Sequence, residues 1–137
     1  MGYRFPSREW AEEYCRLLDS SQRYRSSGRG WKYPILFKVA DTNQGFTLYL
    51  EDGRCLGVEW YDDASSADAP VIISASLDEW VEVISGRINP LTAIMRRRLK
   101  IEKGDISLIL RYSIAALEMV HVAQKLGLGS SGEGGGG

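Results

Sequence analysis

The chain has 137 residues, 44% hydrophobic and 26% charged, with 17 basic and 18 acidic side chains giving a formal net charge of -1. That size fits one domain able to bury a core without metals or disulfides, and the near-neutral balance argues against a general nucleic-acid binder. No run approaches the ~18 to 20 apolar residues that span a bilayer, and MGYRFPSREW lacks the apolar centre of a signal peptide, so the cytoplasm is the expected compartment.

Residues Ser7 to about Ser20 predict the first helix. Ser7 is a good N-cap, Trp10, Tyr14, Leu17 and Leu18 recur at helical spacing, and charged residues fill the other face. SSQRYRSSGRGW reads as a polar, basic loop with room for one helical turn. Its arginines Arg23, Arg25 and Arg29 suit a solvated loop better than a contact with nucleic acid or membrane.

Four strand-like runs follow: Pro34 to Ala40, Phe46 to Glu51, Arg54 to Tyr61 and Val71 to Ser76. Asp52-Gly53 is a hairpin signal, so the first three should form an antiparallel meander. Ser76 and Glu79 form a capping-box pattern that opens a helix ended by Gly86. Asn89-Pro90 restarts a short helix, with proline where its missing N–H costs nothing. A fifth strand is expected near Leu99 to Glu102. Helix then runs from Asp105 to Leu126, with a break near Tyr112-Ser113, and residues 127–137 read as a flexible Gly/Ser tail. The pattern predicts an α+β fold: about five mainly antiparallel strands covered on one face by helices.

Chemistry is sparse. Cys15 and Cys55 lie far apart and outside any CxxC pair, which predicts two reduced, partly buried thiols. His121, with Glu118 one turn before it, reads as a helix-surface pair, and no other ligands surround it. GxSxG, P-loop, GxGxxG and HExxH patterns are absent. No catalytic set, metal or cofactor is therefore expected.

The residues from about Trp80 to Tyr112 carry a distinctive series: Gly86, Asn89-Pro90, Ala93-Ile94-Met95, Leu99-Lys100-Ile101, Gly104-Asp105 and the apolar run Ile106 to Leu110. This series resembles the sterol-carrier-protein, type two, lipid-binding domain family. The resemblance covers residues 7 to about 112, leaving 112–126 as a helical extension within a single domain, 1–126. It implies a hydrophobic tunnel between sheet and helices, bordered by Leu91, Ile94, Met95, Leu99, Ile101, Ile106, Leu108, Ile109, Leu110 and Leu117. Two departures stand out. Arg96-Arg97-Arg98 replaces a less basic stretch, and Lys103 is an extra residue expected to lengthen the turn before Gly104-Asp105.

The resulting expectation is a non-catalytic carrier. It would hold fatty acids, fatty acyl-CoA, sterol-like molecules or phospholipids with low selectivity. Arg96, Arg97, Arg98 and Lys100 would stand near head groups or an anionic membrane surface. Nucleic acid is not an expected partner, and monomer and homodimer are both open. Periodicity alone does not separate a lined cavity from a filled core. The other reading is an interaction module whose last apolar helix forms a dimer or partner interface.

Overall fold

The computed structural model describes residues 3–129. Its elements run α1 (Arg8–Ser20), α2 (Gln22–Ser27), β1 (Ile35–Val39), β2 (Gln44–Glu51), β3 (Arg54–Tyr61), β4 (Val71–Ala75), α3 (Leu77–Ile84), α4 (Pro90–Met95), β5 (Lys100–Lys103), α5 (Ile106–Arg111) and α6 (Ser113–Leu126). The basic stretch after α1 is thus a helix, capped by the Ser21 hydroxyl, which accepts from the Tyr24 amide.

The five strands form one sheet in the order β3-β2-β1-β4-β5. The meander β1-β2-β3 is antiparallel, as its Asp52-Gly53 turn dictates, and β4-β5 is antiparallel too. β1 and β4 run parallel, with Ile35 opposite Val71 and Val39 opposite Ala75. The sheet is therefore mixed, because β4 returns to the inner edge of the meander after the long loop through Asp62 to Pro70.

Alternation along the strands assigns the faces. Ile35, Val39, Phe46, Leu48, Leu50, Val71 and Ile73 join the main core with the helices. Leu36 and Ile72 point the other way, into a small cluster with Ala69 that the 62–70 loop covers. Thr47, buried on that same reverse face, shares a hydrogen bond with the Tyr61 hydroxyl at 3.1 Å.

Two expectations need correction. Cys15 and Cys55 are joined as a disulfide, with Cα atoms 5.5 Å apart, so they are not free thiols. The α1–β3 packing brings them together, which their separation in sequence concealed. Lys103 does not lengthen the turn: it pairs with Ile72 in β5, across an irregularity in the ladder, while Ile101 pairs with Ile73. The extra residue is absorbed as a bulge, and the Lys103 ammonium donates to Asp68 at 2.9 and 3.1 Å.

At the C-terminal end, α6 packs against α1, α2, α3, α4 and α5. Residues 127–129 are also tied down: the Phe5 amide donates to Leu128 and the Trp10 indole to the Gly127 carbonyl. The remainder of the expected tail, 130–137, lies outside the described residues.

Candidate functional site

Between the inner face of the sheet and all six helices lies a cavity of about 120 Å³. Its floor is Ile35, Phe37, Val39, Phe46, Leu50 and Ile73, which alternate along β1, β2 and β4 so that all point one way. The first helices contribute Trp10, Tyr14 and Tyr24, and Trp31 follows them. Trp80, Val83 and Ile84 enter from α3. α6 supplies a small-residue wall, Ala115, Ala116 and Ala123, with Met119 and Val120. Small residues on the last helix are the local reason that space remains.

Aromatic rings set much of the outline. Phe37 lies 5.4 Å from Phe46 and 5.8 Å from Trp80. The Trp80 indole donates to the Lys38 carbonyl at 2.8 Å and so holds that ring against the sheet. Trp31 stands edge-on to Tyr112 at 5.3 Å. Gly30, with φ +93°, lies against the Tyr112 hydroxyl; a Cβ there would approach that oxygen to 2.6 Å, so the close contact requires glycine.

The wall carries no charged side chain. Its polar atoms are phenol oxygens and the tryptophan indoles. Burial pushes the Tyr14 phenol far above its usual range, with nearby Tyr24 a further cause. Burial also pushes Tyr24 up to about 12. Neither acts as a base near neutrality. Among the described residues no cluster of His, Cys, Asp or Glu suits a metal ion. His121 is on the exposed face of α6, 3.7 Å from Glu118.

A second depression, an open cleft of about 730 Å³, lies between α2 and the α5–α6 junction. Tyr112 and Ala115 border both spaces, so together they separate cleft from cavity. The cations of the cleft are Arg23 and Arg111.

Of the residues expected to border an apolar tunnel, Ile94, Leu99 and Ile109 line the cavity. Leu91, Ile101 and Leu108 are half-buried and lie outside its wall. Met95 is 68% exposed, and Ile106, Leu110 and Leu117 also face solvent. Neighbouring helical positions fan out by about 100°, so a run such as Ile106 to Leu110 cannot line one space throughout. Arg96 caps α4, Arg97 has φ 61° at the turn that follows it, Arg98 is half-buried and Lys100 is exposed in β5. None of these four borders the cavity or the cleft. The missed lining residues come about equally from the two halves of the chain. Their signal was present as the Trp10–Tyr14 stripe and the strand alternation, which read equally well as filled core.

Comparison with known proteins agrees with this geometry. The model of the SCP-2 sterol transfer family matches residues 12–116. A crystal structure of sterol carrier protein 2 is 35% identical, with a TM-score of 0.79 over 85% of this chain and 94% of that one. A conserved hypothetical protein of Thermus thermophilus, considered a candidate sterol carrier protein, is 33% identical, with a TM-score of 0.82 over 96% and 98% of the two chains. The apo sterol carrier protein 2 of Yarrowia lipolytica shares the fold at 19% identity and a TM-score of 0.56, over 85% of this chain and 91% of that one. No curated protein matches. A five-stranded mixed sheet roofed by helices, enclosing an apolar cavity, thus occurs in a chain that belongs to the SCP-2 sterol transfer family, a family of lipid-carrier domains.

Proposed function

We propose that this protein is a non-catalytic carrier that draws the apolar part of a lipid between sheet and helices. The observation that carries the reading is the uncharged cavity wall. Each CH₂ moved from water into such a space contributes about 0.8 kcal/mol. One methylene more or less changes affinity little, so selectivity among chain lengths is low. Fatty acids, fatty acyl-CoA, sterol-like molecules and phospholipids all meet this description.

The cavity alone, at about 120 Å³, matches a benzene-sized guest, since an apolar cavity of roughly 150 Å³ takes one. A longer chain extends past Tyr112 and Ala115 into the cleft, which makes a tunnel of the two spaces. An anionic head group then lies by Arg23 and Arg111 rather than by Arg96 to Lys100. The exposed Ile106, Leu110, Ile114 and Leu117 recur at one-turn spacing along α5 and α6. With the nearby Arg111 they suit transient contact with an anionic membrane surface.

Native mass spectrometry of gently purified protein tests the carrier reading, with co-purified fatty acid or phospholipid as the expected result. An empty protein that also ignores fluorescent acyl probes overturns it. The same exposed stripe on α5 and α6 favours a second reading, a dimer or partner interface. Light scattering separates the two, because a lipid-independent dimer supports the interface. The cytoplasm remains our proposed compartment. Fractionation of intact cells tests it: recovery with cytoplasmic markers supports it, and recovery from an oxidising compartment, where a bond such as Cys15–Cys55 is more at home, overturns it.

A further inference from the structure

We propose that the Tyr24 hydroxyl is a buried hydrogen-bond donor to the cargo itself, so that the cavity receives an uncharged lipid end bearing a ketone, alcohol or ester oxygen. This rests on the cavity being the cargo site.

Tyr24 is 2% exposed and lines the cavity. Its backbone amide is satisfied by Ser21, but its hydroxyl has no hydrogen-bond partner among the described residues. The neighbouring phenol differs: the Tyr14 hydroxyl donates to the Met119 carbonyl at 2.8 Å. Buried hydroxyls in folded proteins almost always find a partner, and leaving one without is costly. None of the described residues is that partner, and a bound guest in the cavity can be. A trapped water is a poor candidate, because it needs two to four polar contacts of its own and the surrounding wall is apolar.

The chemistry of the partner follows from the surroundings. Burial holds Tyr24 protonated up to about 12, so it donates. No cation lines the cavity, so a carboxylate there would be both desolvated and unpaired, which is prohibitive. An uncharged acceptor oxygen has neither penalty. Discrimination is then loose in the hydrocarbon and strict in the inserted end: neutral lipids enter oxygen first, while ionised acids keep their head outside.

The test compares 2-decanone with decane, in the wild type and in Tyr24→Phe. Binding is followed by the fluorescence of Trp10, Trp31 and Trp80, all on the cavity wall. The expected result is about tenfold weaker binding of 2-decanone to the variant, with decane unchanged. The carbonyl stretch of the bound ketone should also lie lower in the wild type than in the variant. Equal 2-decanone affinities overturn the proposal and leave the carrier reading standing, since both guests still bind. Failure of the wild type to bind either guest overturns both. Circular dichroism checks that the variant folds. If it does not, the wild-type carbonyl band decides: a downshift relative to the ketone in liquid alkane supports the hydrogen bond, and an unshifted band overturns it.

Discussion

The Tyr14 hydroxyl donates to the Met119 carbonyl at 2.8 Å, joining α1 to α6 beside the cavity. Tyr14→Phe keeps the ring and removes the donor. It should lower stability by about 1 kcal/mol, read as a lower urea midpoint with an unchanged slope. A variant as stable as the wild type would show that this bond does not hold the two helices together.

Alkaline pH should weaken the fold. Burial pushes Tyr24 up to about 12, and the hydrogen bond that the Tyr49 hydroxyl donates to the Glu59 carboxylate lifts Tyr49 to about 12. The unfolded chain ionises near the ordinary value of 10.0, so above that pH it releases protons that the folded chain keeps. Stability from these groups is complete below pH 10 and is lost as pH rises towards about 12. Urea midpoints across this window should fall less steeply in Tyr24→Phe than in the wild type.

At the acid end, Asp19 accepts from Arg54 at 2.7 and 3.1 Å and from the Cys55 amide at 3.1 Å. The Arg54 hydrogen bonds, foremost, hold its carboxyl below the ordinary 3.8. This contribution is present above pH 3.8 and disappears as pH falls through the lower folded value. Asp19→Asn should cost under about 1 kcal/mol at neutral pH, since the pair is largely solvated. Wild type and variant should converge in acid denaturation curves.

The Cys15–Cys55 disulfide closes a loop with a sequence separation of 40. On the chain-entropy model such a crosslink contributes about 4 kcal/mol. The paired Cys15→Ala, Cys55→Ala variant should therefore unfold at clearly lower urea. Alkylation without reductant, followed by mass spectrometry, should leave both cysteines unlabelled. Two labelled thiols in the native protein would show the bond to be absent.

Ala116 lines the cavity from α6. Ala116→Leu should occupy part of the free volume and weaken acyl-probe binding by about tenfold, while the melting temperature holds or rises because the added carbons fill space instead of displacing neighbours. Unchanged probe binding in a folded variant would put the cargo elsewhere.

The fold was legible where local chemistry decides. Ser76 and Glu79 form the capping box that their spacing announces, Asn89 caps α4 ahead of Pro90, and Asp52-Gly53 makes the hairpin. The parallel β1–β4 pair was not legible, because strand direction depends on where the chain goes after Asp62, not on the strand residues. Ile94, Leu99 and Ile109 stood out because the family motif marks their region. Trp10, Tyr14, Phe46 and Trp80 did not, since an apolar side chain facing a void has the same sequence pattern as one facing a neighbour. Cys15 and Cys55 meet only because α1 lies across β3.

Trp10 gives its indole proton to Gly127 and lends its ring to the cavity wall. The seam that fastens the C-terminal end of α6 and the chamber beneath it thus share one side chain. Trimming the chain just past Leu126 would reshape the interior as well as loosen the fold, so shortened versions are poor stand-ins for the whole when cargo is being measured.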